Sequence, residues 1–504
     1  MKLIFRLRRP SVFALAGVSA RKLIACQKWV AALILSVALM TSAKSNDDVP
    51  LVFAHWIVSM PYEKGQGAIV LVSNDIRAAM ELGLDAFALN AFSGPQARDL
   101  FSTFIRAADA VGASNFKVFL SADMSLGFKS EDIVDVIKTF GDNPHYLKIN
   151  GKPLLSTFGG QGRGDRWWQD NVLSPLESSG LKVSFVPAFG LPDPNGDTPN
   201  DENWKMVIDR YGSIDGLFNF GIPKSPPFRL DDENIGNHWW SLLDGQESLA
   251  RTLKRAGKLY MGSYAPMYWA VCHPARQYTE TQGGRGMENA WASIIEKQHP
   301  RMVEIITWND YSEATYIQPT RIPITKTAGI PSLPHLGYYE LLKYYVAWYK
   351  SNRRPTITKD ALFFFHRTHP NRAVASDERS GCSLGAIPAR QKWGNVQDRI
   401  YVTTALTAPA ELVVKTGSST RRLSLAAGLN TVDVPFEPGR PSYELWRAGN
   451  KVLGLTGNEI IEDPDVYNFN VTSGYSIAGG QSSETWEPSD NWKTGFVAEW
   501  FKVE

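Results

Sequence analysis

A chain of 504 residues is too long for one small domain, and 43% hydrophobic with 21% charged residues is the composition of an ordinary globular protein with a large core. The formal net charge of +2 hides an uneven distribution: the first 43 residues carry seven Lys or Arg and no acid, leaving 46 basic against 51 acidic residues in the remainder. That mildly acidic remainder has no basic run of the kind that grips a phosphate backbone, so nucleic acid is not an expected partner.

The basic opening leads into the apolar stretch "WVAALILSVALM" and then "TSA". This is the n-region, h-region and small-residue cleavage site of a signal peptide over 1–43. The apolar run falls short of the roughly 20 residues that span a bilayer, although an uncleaved anchor is the alternative. The expectation is a secreted or periplasmic protein with no stable membrane insertion after cleavage.

From Leu51 onward, short apolar runs alternate with helical patterns. The strand candidates are "LVFAHWIV", "DAFALNA", "FKVFLSAD", "KPLLSTF", "KVSFVPAF", "IDGLFNF", "KLYMGSYA" and "VEIITWND". Helical candidates between and after them include "NDIRAAMELG", "ARDLFSTFIRAADAVG", "SEDIVDVIKTF", "ESLARTLKRAG", "ENAWASIIEKQ" and "GYYELLKYYVAWYK". Near-continuous apolar strands separated by helices predict a parallel sheet covered on its outside. Eight such units predict an α/β fold, a (β/α)8 TIM barrel over 44–354. A doubly wound nucleotide fold would want a glycine signature at its first strand, and "VFAHWIVSMPYEKGQG" lacks one. "GGQGRGD" lacks the Lys-Ser/Thr of a phosphate loop, and reads as a flexible loop.

After residue 354 the texture becomes short strands punctuated by Gly, Pro and Asn, from "ALFFFHRTH" to "PSYELWRAG". This predicts an antiparallel β-sandwich over 355–504. The tail from Asp463, with Trp486, Trp492 and Trp500, is expected to pack over that sandwich. Cys272 and Cys382 could form one disulfide joining the two parts, but sequence does not say whether they meet. His366 and His369 in "HRTH" lack partner cysteines. Neither a metal nor another cofactor is expected.

Function concentrates in "EIITWNDYSEATYIQP". Asp310 falls at the end of the eighth strand and Glu313 three residues on. The residues at the C-terminal strand ends of such a barrel face its active site. Other polar and aromatic candidates for that rim are His55 and Trp56 in the first strand, Asn90 after the second and Asp123 after the third. Asn219 and Tyr264 follow in the sixth and seventh. Asp193 lies just beyond the fifth. A turn would explain Asn-Asp by itself. The sharper reading is a pair dividing the work of glycosidic cleavage, one carboxyl protonated and one ionised. Trp308 and Tyr311 could desolvate one acid, and Asn309 could bond the sugar or the other acid.

The segments "VFAHWIV", "DIRAAMELGLDAFALN", "KVFLSADM", "KPLLSTFGG" and "EIITWNDYSEATYIQP" resemble the α-1,3-glucanase (mutanase) family, glycoside hydrolase family 71. "ITKDALFFFHRTHP" continues the resemblance more weakly. The resemblance implies endo-hydrolysis of an α-1,3-linked glucan with inversion and no metal. It carries the acid pair onto Asp310 and Glu313, and His55 and Asp123 into the site. The chain departs from the family pattern at Ser312, at Ala314 and at Asn219-Phe220, which touches sugar subsites and not the acids. Two other readings of the same barrel are a retaining endo-mannosidase-like enzyme and a non-catalytic carbohydrate-binding protein.

Overall fold

The eight apolar runs become eight parallel strands: β1 Leu51–Ile57, β2 Ala86–Ala91, β3 Lys117–Asp123, β4 Lys152–Phe158, β5 Ser184–Phe185, β6 Gly216–Phe218, β7 Leu259–Tyr264 and β8 Met302–Ile305. The computed structural model describes residues 49–58, 65–190, 200–220, 235–270, 278–279, 281–320, 326–327, 330–370, 373, 397–466, 468–489, 492–493 and 496–503, with the backbone alone for 235–242 and 326–327. The leader, Asp193, Cys272 and Cys382 lie outside the described residues.

Hydrogen-bonded strands follow the order β5-β4-β3-β2-β1-β8-β7-β6. The circuit closes between β5 and β6 through two backbone bonds, Asp215 N–H to Phe185 O at 2.8 Å and Phe218 N–H to Pro187 O at 3.3 Å. Helices follow each strand: α1 Gln66–Leu82, α2 Gly94–Val111, α3 Ser130–Phe140, α4 Asp165–Trp168, α5 Asp201–Arg210, α6 Ile235–Arg255, α7 Gly284–Ser293 and α8 Leu336–Ser351. A π turn, Gln169–Leu173, and a short helix, Ser174–Ser178, prolong α4. The architecture is the expected (β/α)8 barrel.

Alternation along β1 sends Phe53, His55 and Ile57 into the barrel and Trp56 toward the helices. Phe53 meets Phe119 edge-on at 4.9 Å inside, while Trp56 meets Phe104 of α2 at 5.1 Å outside. α1 stops at Gly83, whose φ of +93° suits glycine and whose N–H returns to Met80 O at 2.9 Å. A Cβ there would lie 2.9 Å from the Phe496 ring, so the tail also needs glycine at this point.

α8 is rich in apolar and aromatic residues on every side and is buried nearly all round. Residues from Leu336 to Tyr349 are buried, including Lys343, whose ammonium bonds Glu81 of α1 and Glu340 of α8 at 2.8 Å each. Beyond α8 come two four-stranded antiparallel sheets. One runs β13-β10-β9-β16, with β9 Ala361–Arg367, β10 Arg399–Leu406, β13 Gly428–Pro435 and β16 Val471–Ile477. The other runs β12-β11-β14-β15, with β11 Ala410–Thr416, β12 Ser419–Leu425, β14 Ser442–Arg447 and β15 Asn450–Thr456. Leu362, Phe364, Val402, Leu412, Val414 and Leu445 fill the space between them. α8 ends and β9 begins on either side of the expected boundary, yet Pro50–Glu504 form one compact unit.

The tail departs from expectation. Val471–Ile477 is a strand inside the first sheet, paired to β9 along its whole length. The tryptophans beyond it reach the barrel helices, and Trp500 also meets Phe363 of β9 at 5.4 Å. Trp500 stacks on Tyr344 of α8 at 5.4 Å and donates its indole N–H to Glu340 at 3.2 Å. Trp486 meets Tyr339 of α8, and Arg77 of α1 lies over Trp492 at 5.7 Å. The aromatic surface of α8 explains this, since one sheet covers only part of it.

Candidate active site

At the C-terminal mouth of the barrel, a cavity of about 150 Å³ is lined by His55, Ile57, Asn90, Phe92, Asp123, Leu126, Phe158, Phe220, Asp310 and Glu313. Each enters from the end of a strand or the loop after it, so five of the expected residues, from β1, β2, β3 and the loop after β8, meet in one place. Three are carboxylates, and His55 is the one basic side chain among these lining residues.

The Asp310 loop is built by its own hydrogen bonds. Thr307 Oγ1 accepts from the Asp310 N–H at 2.8 Å. Asp310 Oδ1 accepts from Ser312 N–H at 2.9 Å, Ser312 Oγ–H at 2.6 Å and Glu313 N–H at 3.0 Å. One carboxylate oxygen is thereby fixed by three donors, and the backbone of Glu313 is tied to Asp310. The Trp269 N–H bonds Glu313 O at 2.9 Å and anchors the far end of the turn. Burial pushes the Asp310 carboxyl above the usual carboxylate range, opposed by Ser312, by Glu313 and by the charge of His55. The turn chemistry of Asn-Asp and the convergence of two acids therefore coexist here.

Asp123 is fixed in the same way, with Oδ1 accepting from Ser125 N–H at 3.0 Å and Ser125 Oγ–H at 2.6 Å. His55 presents Nδ1 to Glu304 Oε1 at 2.7 Å and meets the Phe220 ring edge-on at 5.0 Å. Phe220 also meets Phe158 at 4.9 Å, so these two rings and Phe92 add apolar surface to a cleft whose acid Asp123 stands in register with Phe158.

Other expected residues stand elsewhere. Trp56 faces α1, donating its indole N–H to Asp75 at 3.1 Å. Trp308 is fully buried against Phe87 at 5.1 Å, on the helix side of the sheet. Tyr311 donates to Gln318, and Gln318 donates to Asp75 at 2.6 Å. Tyr264 packs on Trp291 of α7 at 5.7 Å. Asn309 uses both ends of its amide on the backbone of Ile57. At the sixth strand Phe220, and not Asn219, lines the cavity. These residues form the support behind the cleft. At its centre is Asp75, whose carboxyl burial raises to about 6 against the donors Trp56 and Gln318.

Sequence reasoning passed over Ile57, Phe92, Leu126, Phe158, Tyr268 and Glu304, and met Phe220 only as a departure from the family pattern. Burial, then the charges of Glu313 and Asp310, raise the Tyr268 hydroxyl, and its neighbour Trp269 is the residue whose N–H bonds Glu313 O. Glu304 had a visible signal, an acid inside an apolar strand. Among the described residues no group of three or more His, Cys, Asp or Glu is arranged to hold a metal ion, and no helix is long and apolar enough to cross a membrane. A cleft with two or three acids of unlike surroundings can protonate one oxygen and activate a water for attack elsewhere.

Comparison with known proteins finds the model of glycosyl hydrolase family 71 matching residues 49–485. A glucan endo-1,3-alpha-glucosidase of Schizosaccharomyces pombe is 29% identical over 88% of this chain and 99% of its own. A mutanase of Penicillium rubens is 27% identical over 89% of this chain and 93% of its own. Among solved structures, the endo-alpha-mannosidase of Bacteroides thetaiotaomicron overlaps 61% of this chain and 99% of its own, with a TM-score of 0.45 and 14% identity.

Proposed function

The chain belongs to glycosyl hydrolase family 71, and on that premise we propose that it hydrolyses α-1,3-linked glucan within the chain, with inversion at the anomeric carbon and without a metal. The observation that carries this reading is the meeting of Asp310 and Glu313 in one cavity at the barrel mouth. The linkage is supported by the relative from Schizosaccharomyces pombe, which is a glucan endo-1,3-alpha-glucosidase.

Asp310 serves as the base. Its Oδ1 is held by three donors, which favour and orient the ionised form, while burial makes the carboxylate a stronger proton acceptor. Oδ2 then takes a proton from the attacking water. Glu313, half-buried on the cleft wall, gives its proton to the departing glycosidic oxygen. The bond from the anomeric carbon to that oxygen breaks as the bond from water forms on the opposite face. Asn90 and Asp123 supply polar contacts to sugar hydroxyls, and Phe158 and Phe220 an apolar wall for the ring faces. Export guided by the basic leader and its apolar stretch is part of the proposal.

The test is release of reducing sugar from α-1,3-glucan, α-1,4-glucan, dextran and α-mannan compared side by side. Activity confined to α-1,3-glucan supports the proposal. Equal or greater activity on mannan overturns it.

A further inference from the structure

Glu304 lies on β8 with its side chain wholly buried, in register with Phe53 of β1, in a part of the barrel interior where Phe53 meets Phe119. An ionised carboxylate in such a place is costly unless it is paired. Its Oε1 meets His55 Nδ1 at 2.7 Å, and its Oε2 has no hydrogen-bond partner. The imidazole is equally confined. It lies in the cavity wall, with the edge-on Phe220 ring at 5.0 Å, and its charge acts on Asp310. The charged and titratable groups facing it are Glu304 from within the barrel and Asp123, Asp310 and Glu313 from the cavity.

We propose that Glu304 is a positioning residue that acts through His55, holding the imidazole with its Nδ1–H toward the barrel interior so that Nε2 and the ring's positive charge are presented to the Asp310 side of the cleft. The inference rests on the reading of Asp310 as the base. A carboxylate at Nδ1 selects one of two ring tautomers and stabilises the cation, the part a buried acid plays behind a histidine in other hydrolytic sites. In the proposed reaction, the imidazolium offsets the negative charge of Asp310 before the water is deprotonated. It also leaves Nε2–H as a donor to a sugar hydroxyl or to that water. Glu304 touches neither substrate nor water, so its effect must pass through the ring.

Substitution Glu304→Gln keeps the volume and removes the charge, and its amide can donate to Nδ1 and so stabilise the opposite tautomer. Proton–nitrogen NMR of the full-length protein labelled at histidine reads this directly. His55→Asn assigns the His55 signal among the eight histidines of the chain. The expected result is Nδ1–H in the wild type and a changed tautomer or charge state in Glu304→Gln. With it, kcat should fall by about tenfold or more while KM stays within about twofold, a smaller loss than removal of a general acid or base itself. The double variant Glu304→Gln/His55→Asn should be no slower than His55→Asn alone, because the two act in series. An unchanged His55 spectrum, or independent losses that multiply, overturns the proposal. Asp310→Asn separates the two readings. If that variant keeps near-normal turnover, the assignment of the base fails, whereas a wild-type NMR signal in Glu304→Gln with an inactive Asp310→Asn sinks the positioning role alone.

Discussion

Asn309 is closed onto Ile57 at both ends of its amide, its Oδ1 accepting from the Ile57 N–H at 2.8 Å and its Nδ2 donating to the Ile57 carbonyl at 3.0 Å. The residue before Asp310 is thereby fastened to the last residue of β1, two positions after His55. The latch sets how the acid loop sits against the imidazole. Loss of a buried hydrogen bond that leaves its partners unpaired costs about 1–3 kcal/mol. Asn309→Ala should therefore lower the unfolding free energy by roughly that amount, and lower kcat more than it raises KM. Denaturant titration with steady-state kinetics checks both. A variant with wild-type kinetics would show that the latch does not place the acid loop.

The proposed roles of the acid pair make a sharper demand. Asp310→Asn and Glu313→Gln should each fold, since both are near-isosteric, and each should lose at least about 10²-fold in kcat. Only Glu313→Gln should recover on an α-glucoside whose leaving group needs no proton. Recovery of Asp310→Asn instead would exchange the two roles.

How much of this was legible beforehand follows from what periodicity carries. Eight apolar runs with helical material after each were enough for the barrel, and the position of Asp310 and Glu313 at the eighth strand end brought them to the cleft. The side to which an aromatic points was not legible. Trp56 and His55 are neighbours, so one must face the helices when the other faces the barrel, and parity decided for His55. Trp308 and Tyr311 follow the end of β8, where no alternation can be counted; Trp308 turns onto Phe87, and Tyr311 reaches Asp75 only through Gln318. Glu304 was passed over because its partner His55 lies 249 residues away in the sequence. The tail was misplaced because its strand joins the first sheet and its tryptophans find partners on α8, a division that its polar, strand-poor composition does not announce.

Asp75 gives the support behind the cleft a pH dependence. Its carboxyl stands at about 6 in the folded protein against 3.8 ordinarily, with burial as the cause. Between those values the folded state binds the extra proton, so stability falls as pH rises through that window and levels above it. Each unit of difference is worth about 1.4 kcal/mol. Asp75→Asn should flatten the profile between about pH 4 and 6, with Gln318 turning its amide to meet the new donor. Thermal unfolding across that range checks this. Parallel profiles for the two proteins would remove Asp75 as their source.

Lys343 bridges two carboxylates where α1, α8 and the tail meet. Glu81 also accepts from Ser489 N–H at 2.9 Å, and Glu340 from the Trp500 indole at 3.2 Å. Lys343→Met fits the space but leaves both acids without their cation, and breaking a buried pair this way costs roughly 3–5 kcal/mol. Urea unfolding should show that loss. A loss below about 1 kcal/mol, the range of exposed pairs, would mean that water reaches the cluster.

The most direct test of the central claim is proton NMR of the first products released from α-1,3-glucan by the wild-type protein, recorded before the anomers interconvert. An inverting Asp310–Glu313 pair predicts new reducing ends that appear as the β-anomer and drift toward equilibrium. New ends appearing first as the α-anomer would show retention and contradict the account, because Asp310 would then attack the sugar itself and not a water.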